Sequence, residues 1–522
     1  MNWAWRALPW AALAGGMQAL ALAWPGRAGL DGLVAPGQPL WWLQLWGLSL
    51  LVLQLQALPP DIRPVRRAAL LGGVFGLAWL AGTFWWLFIS MHVYGGLAAP
   101  LAVLAVGALA AFLAVYYALA CALYVGLAPV SGVWRPAWFA TCFTLAEMLR
   151  ATWFTGFPWG GVGYAHVDGP LAPLAAWVGV YGITALVAWL AAGLVMWYPW
   201  PLRRDRVVAA LLPVIGVPLL VLAANTSEHT VRQGRLRVAL LQGQIPQNEK
   251  FVEGSGVETA LTWYAQALTE SSAELTVAPE TALPLLPRQL PHGYWDGLVR
   301  NLRQRGQAAL IGVPLGNLAE GYTNSVLGLR PDHDNPYRYD KHHLVPFGEF
   351  IPPWFKWFTA MMDIPLGDFS RGGLEQPAFE WAGQRLAPHI CYEDLFTEEL
   401  AARFRVPALA PHILVNVSNI AWFGNSVAID QHLQIARLRA MELERPVVRS
   451  TNTGATVVID HRGRVTHSLD RTVRGVLLAD VDGRKGLTPY ALWVSRWGLW
   501  PLWGVLLAGV VWSAWRKVRR TA

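Results

Sequence analysis

The chain has 522 residues, 54% of them hydrophobic, with 30 tryptophans and only 14% charged. That composition excludes an ordinary water-soluble protein of this length and leaves a membrane protein with a substantial polar segment. Three cysteines are too few for a disulfide scaffold, and the formal net charge of +8 has to be located before it says anything about partners.

Seven apolar stretches fill the first part of the chain, at about 7–24, 40–57, 68–90, 97–127, 136–154, 170–198 and 207–224. Each approaches or exceeds the roughly 20 residues a helix needs to cross the hydrocarbon core. An eighth runs from about 489 to 514. Arg6 ahead of an apolar run ending in small residues has the look of a cleaved signal peptide, but six further spans favour an uncleaved first helix. Alternate loops differ in charge. One side carries Arg6, Arg63, Arg66, Arg67, Arg135, Arg203, Arg204, Arg206, Arg516, Lys517, Arg519 and Arg520, and the opposite short loops little beyond Arg27. The positive-inside rule then puts both termini in the cytoplasm and the polar segment on the outer face. Taking these twelve charges from +8 leaves 8 − 12 = −4 for the remainder, so the basicity is topological and nucleic acid is not an expected partner. The expected domains are a membrane domain over 1–228, an outer domain over 229–487, and a last span with a basic tail over 488–522.

The outer segment alternates short apolar runs with helical patterns. Strands are predicted from Arg235, Glu274, Ala308, Ser325, Ala387, His412, Pro446 and Ala455, and amphipathic helices over about 255–272, 292–305, 394–404 and 427–444. Such alternation indicates a layered α/β domain.

Three strand ends carry reactive side chains: Glu280 closing TVAPETALP, Lys341 in YRYDKHHLVPFGEF, and Cys391 ending APHIC. Sites in open α/β sheets gather beyond the carboxyl ends of strands, so the three can converge. Cys121 and Cys142 lie in apolar spans, which leaves Cys391 as the one thiol outside the bilayer and the candidate nucleophile. Taken alone, a free cysteine is more often a small buried hydrophobe, and an isolated Glu or Lys a solvated surface charge. Here Glu280 sits between Pro279 and Pro284 and Lys341 precedes the rigid LVPFGEF, settings that favour a site. A carboxylate can take the thiol proton, and a lysine can face the oxyanion of a tetrahedral intermediate.

These motifs, in this order and behind several spans, resemble the apolipoprotein N-acyltransferases, the membrane members of the nitrilase, or carbon-nitrogen hydrolase, superfamily. The resemblance covers nearly the whole chain and extends to LLQGQIPQ from Leu240, GYTNSV from Gly321, AWFGNS from Ala421, QHLQIARLRAMELERPVVRSTNTG from Gln431 and TGFPWGGVGY from Thr155. It implies a Glu280–Lys341–Cys391 triad on an αββα sandwich attached to a polytopic helical membrane domain of about eight spans. It also implies supporting roles for Glu349, Tyr392 and Glu393, with Glu349 expected to orient Lys341 and Asn324 a hydrogen-bonding neighbour. Glu393 has a second reading as a helix-start carboxylate favoured by the dipole. Two departures stand out: Phe251 where relatives often have tryptophan, losing the indole donor, and Ile420 where they often read NDAWFG.

The resemblance implies a ping-pong transfer without cofactor or metal. Cys391 takes an acyl chain from a phospholipid, phosphatidylethanolamine being the expected donor. The free amine of diacylglyceryl-cysteine on an apolipoprotein then takes it from the thioester. The expected setting is the bacterial inner membrane, with the catalytic domain periplasmic and the protein a monomer. The stretch 351–369, aromatic and poor in charge, fits a loop that dips into the interface or lids the site, or else a packed core segment. TGFPWGGVGY suits an acyl entrance, with Glu147 and Arg150 just before it expected to pair with each other. Three rival readings are weaker. A Cys-His hydrolase using His389, His342 or His343 lacks in-line geometry, a small-amide or nitrile hydrolase would need only one anchoring span, and a transporter or lipid-binding scaffold has no use for the triad. No cluster has metal-ligand spacing.

Overall fold

The computed structural model describes residues 2–26, 32–59, 63–128, 132–197, 204–225, 228–351 and 369–521. The chain divides into two compact units. One comprises Met1–Phe88, Ala99–Ser227 and Leu499–Ala522, and the other Ile89–Ala98 with Glu228–Gly498.

The first unit is helical: α1 (Asn2–Ala21), α2 (Trp41–Gln56), α3 (Pro64–Phe84), α4 (Ala99–Gly126), α5 (Arg135–Thr152), α6 (Ala175–Val195), α7 (Arg204–Asn225) and a last helix, Trp500–Thr521. Every apolar stretch of the sequence is thus met by a helix. Among the described residues four, over Pro64–Phe84, Ala99–Gly126, Ala172–Val195 and Arg204–Asn225, are long and apolar enough to cross a membrane, or five if Pro489–Trp497 and Trp500–Arg519 count as one broken span. The sequence reading expects about eight. The shortfall has causes in the residues: α2 has only 16 residues, and α5 carries Arg135, Glu147 and Arg150. Phe75, Trp79, Tyr117 and Phe143 form an aromatic core between α3, α4 and α5. Beside it Glu147 and Arg150 pair at 3.2 Å, fully buried. Arg150 donates to the carbonyls of Phe157 and Trp159 at 2.6 and 2.7 Å, and Glu147 accepts from Val162 N at 3.2 Å and from Tyr117. The pair therefore holds the TGFPWGGVGY backbone, and each of its two buried charges has the other as partner.

The second unit is a sandwich of two six-stranded sheets, ordered β12-β1-β2-β3-β4-β5 and β11-β10-β9-β8-β7-β6. In the first sheet β1 (Thr230–Gln242), β2 (Leu275–Ala278) and β3 (Ala308–Asn317) run parallel, and β4 (Gly321–Leu329) and β5 (Tyr337–Asp340) continue antiparallel. In the second, β7 (Gln384–Ile390), β8 (Ile413–Ser418) and β9 (Val447–Thr451) are the parallel centre, edged by β6 (Phe379–Trp381), β10 (Val457–Ile459) and β11 (Val465–Ser468). The central strands are near-continuous apolar runs because both faces are covered. Leu236, Val238, Val277 and Leu310 meet Leu386, Ile390, Val415 and Val448 between the sheets. Helices α8 (Gly256–Glu270) and α9 (Tyr294–Arg305) cover the outer face of the first sheet. Helix α10 (Ala428–Leu443) packs on β9 and the turn after β7, and α11 (Pro489–Trp497) packs beside it.

Sequence pattern misses the edges: β5, β6, β11 and β12 (Gly475–Gly486). Strand β12 alternates exposed and buried positions through Asp480, Asp482 and Arg484, so it lacks the apolar run that marks a central strand. Apart from Ile351 and Phe369, the stretch expected to touch the interface lies outside the described residues.

Candidate active site

Strand direction and three turns assemble the site. Glu280 lies two residues past β2, Lys341 is the first residue past β5, and Cys391 the first past β7. At Cys391 the backbone turns sharply, with φ +52°, into a short 3-10 helix. A non-glycine residue in the left-handed region costs about 1–3 kcal/mol and persists only where its surroundings enforce it. Glu393 supplies much of that enforcement. Its buried carboxylate accepts from Ile390 N at 2.6 Å, His342 N at 2.8 Å, His343 N at 3.2 Å and the Tyr339 hydroxyl at 2.8 Å. One side chain thereby ties the cysteine turn to the lysine turn.

The two carboxylates and the lysine form a compact group. Lys341 Nζ lies 2.9 Å from Glu349 Oε1 and 3.5 Å from Glu280 Oε1. Asn324 Nδ2, on β4, donates to both oxygens, at 2.8 Å to Glu280 and 2.7 Å to Glu349. Glu280 Oε2 accepts from Asn419 N at 2.9 Å, and Glu349 Oε2 from Val345 N at 2.8 Å. Burial by itself would favour a neutral Lys341, but Glu349, Glu280 and Cys391 outweigh it and hold the ammonium well above the ordinary lysine range. At the half-buried Cys391 the surroundings favour the neutral form instead. Burial and the nearby Glu280 charge push its thiol up to about 12, against the pull of Lys341, Arg449 and a hydrogen bond with Ser418. At neutral pH the resting site therefore holds a thiol that needs a base, with a permanent cation close by.

A second buried group lies behind Cys391. Asp394 pairs with His389 Nε2 at 2.7 Å, Arg449 Nη1 at 2.7 Å and His432 Nε2 at 3.3 Å. Arg449 Nη2 also reaches His432 Nδ1 at 2.6 Å. Burial and Arg449 lower His432 to about 4, so its ring is neutral. Nδ1 then accepts from Arg449, and Nε2–H is left to face Asp394 and the Cys391 carbonyl, 3.3 Å away. Burial works against the Asp394 charge, yet its histidine and arginine partners hold the carboxyl well below the usual range.

The residues singled out in the sequence fall as follows. Glu280, Lys341, Glu349 and Asn324 share hydrogen bonds, and Cys391 is electrostatically coupled to the first two. Tyr392 packs on Phe396 and His343, at ring separations of 5.3 and 5.7 Å. Phe251 stands beside Lys250, its ring 5.9 Å from Nζ, and Ile420 is buried directly after Asn419. The rival bases are engaged elsewhere: His389 with Asp394, His342 with the Gly372 carbonyl, and His343 with Glu399. Sequence reasoning passed over Lys250, Asp394, Asn419, His432 and Arg449. The adjacent Phe251 drew attention where Lys250 is the residue that reaches the site, and Arg449 lies 55 positions from its partner Asp394. Among the described residues no group of three His, Cys, Asp or Glu side chains is arranged to hold a metal ion.

Both units match known families. Residues 237–490 match the carbon-nitrogen hydrolase family, the class that the two-sheet sandwich defines, and residues 19–193 match the apolipoprotein N-acyltransferase N-terminal domain. The apolipoprotein N-acyltransferase of Verminephrobacter eiseniae is 57% identical over 516 residues, covering 95% of this chain and 94% of that protein. That of Ralstonia nicotianae is 44% identical over 492 residues, covering 93% and 89%. The chain belongs to the apolipoprotein N-acyltransferase family. It is accordingly a bacterial acyltransferase of lipoprotein N-acylation, a membrane-embedded, lipid-modifying enzyme.

Proposed function

We propose that Cys391 carries the acyl chain as a thioester between two half-reactions. In the first, Glu280 takes the proton from Cys391 Sγ, and the thiolate attacks the ester carbonyl of a phospholipid acyl chain. The tetrahedral oxyanion develops facing the Lys341 ammonium. It collapses by breaking the bond to the glycerol oxygen, and Glu280 returns the proton to that oxygen, releasing a lysophospholipid. In the second, the free amine of a diacylglyceryl-cysteine attacks the thioester carbonyl and gives up its proton to Glu280. The C–S bond breaks, the amide forms, and the proton returns to sulfur. Glu349 and Asn324 hold Lys341 and Glu280 in register, Glu393 and Tyr392 hold the cysteine turn, and Phe251 flanks the site. The observation that carries this reading is the Glu280 carboxylate, fixed by Asn324, Asn419 and Lys341 and coupled to a thiol that burial keeps protonated.

The same reading places residues 229–487 on the periplasmic face of the inner membrane and both termini in the cytoplasm. About eight spans, over 1–228 and 488–522, hold a monomer, and phosphatidylethanolamine is the donor. The basic loops and the lipid nature of both substrates support this arrangement. The purified protein incubated with phospholipid is expected to gain the mass of one fatty acyl group, labile to hydroxylamine and absent in Cys391→Ala. An unmodified wild-type protein sinks the thioester.

A further inference from the structure

Lys250 is a buried lysine, 1% exposed, to which the acyl-transfer steps give no role. It ends a turn in which its own N–H donates to the Pro246 carbonyl. The start of α8 presses on that turn so closely that a Cβ at Gly256 would stand 2.1 Å from the Glu249 carbonyl oxygen. Its Nζ reaches inward to two acceptors in the turn that carries Glu280: the Glu280 carbonyl at 3.1 Å and Thr281 Oγ1 at 2.6 Å. That turn is strained and confined. Thr281, a β-branched residue, has φ +45°. From the other side β3 approaches until a Cβ at Gly312 would lie 2.1 Å from the Pro279 carbonyl oxygen.

We propose that Lys250 is a positioning residue for the acyl-transfer base: by holding the Glu280 carbonyl and the Thr281 hydroxyl it fixes the strained turn that aims the Glu280 carboxylate, and it adds a second positive charge to the site. The inference rests on Glu280 acting as the base. The charge is well placed to matter. Burial draws Lys250 down to about 8, against the pull of Glu280 and Cys391, the two titratable groups that face it. Lys341 reaches the same Glu280 carboxylate at 3.5 Å. Removing a cation from this set disfavours both the carboxylate and the thiolate, so the reaction then needs a higher pH.

The test uses the full-length protein with Lys250→Met, Lys250→Arg and Thr281→Val, followed between pH 6 and 9.5 by two readouts. One is thioester formation with phospholipid. The other is alkylation of Cys391 by iodoacetamide, read as intact mass, which needs no lipid and is clean because Cys121 and Cys142 are buried. Lys250→Met is expected to slow thioester formation about 10²-fold at pH 7. KM for phospholipid stays unchanged, the acid limb of both profiles moves to higher pH, and Lys250→Arg recovers most of the loss. Thr281→Val, which removes only one acceptor, gives a smaller loss of the same shape and decides the matter if Lys250→Met does not fold. Wild-type rates in Lys250→Met, or a loss equal at every pH that arginine does not recover, overturn the proposal. If the wild type forms no thioester while the alkylation profile still shifts in Lys250→Met, the phospholipid reading fails and the role of Lys250 stands.

Discussion

On one side of Cys391 two carboxylates, Glu280 and Glu349, share the Lys341 ammonium. On the other a single carboxylate, Asp394, is shared by Arg449 and two histidines. Both groups are buried and both exert a field on the same sulfur, yet they differ in what they leave unfinished. The Asp394 group is closed, with its one anion enclosed by partners, and it bears on the Cys391 backbone through His432. The Glu280 group is not enclosed in this way: besides its cations, Lys341 and the Lys250 that holds its turn, it faces a thiol raised by burial. The lesson is that a buried ion cluster builds shape when its partners enclose it and can do chemistry when one side of it faces a group able to exchange a proton.

Four substitutions break or sharpen that contrast, in descending order of effect. Glu280→Gln keeps the shape and removes the base, and is expected to slow thioester formation about 10²–10⁴-fold with little change in melting temperature. A normal single-turnover rate would remove Glu280 as the base. Lys341→Met should cost about 10²–10³-fold in the same assay, the range for one oxyanion donor, and a weaker loss would assign the oxyanion elsewhere. Arg449→Met attacks the closed group and should act on stability first, since stripping one partner from a buried pair costs about 3–5 kcal/mol. Its pH dependence follows from Asp394. A carboxyl held low in the folded state stabilises the fold above its unfolded value of about 3.9, and that contribution disappears as pH falls through the folded value. With Arg449 gone the folded value rises, so acid unfolding of Arg449→Met should begin at a higher pH than in the wild type. An unchanged acid midpoint would show that Arg449 does not hold Asp394 low. His432→Gln keeps a donor near the Cys391 carbonyl and should cost only about 1 kcal/mol, read as a small drop in melting temperature.

The same contrast explains what was legible in the sequence. Glu280 and Cys391 each follow an apolar run, where a reactive side chain stands out against its neighbours, Lys341 is legible only through the rigid LVPFGEF after it, and the central strands read clearly because they are buried on both faces. The closed group gave no such signal. Asp394 sits in an ordinary helix-start sequence, His432 and Arg449 in an amphipathic helix and the strand after it, and only tertiary folding brings them together. Lys250 was hidden in the polar loop QNEKF, where a lysine is ordinarily solvated. The edge strands were hidden because β11 is wholly exposed and β12 carries four charged residues, Asp480, Asp482, Arg484 and Lys485, in its second half.

The lasting ammonium at Lys341 has a consequence for water. A lysine held so far above its ordinary range keeps its proton at neutral pH, which in the proposed mechanism leaves Glu280 as the carrier. On the proposed route a single proton then circulates: from sulfur to the departing alcohol in the first half, and from the incoming amine back to sulfur in the second. For an amine that enters neutral, the sum over both halves takes no proton from the solvent and gives none back. A site that closes its own proton cycle can stay dry, and on the proposed route dryness protects the thioester from hydrolysis until the amine arrives.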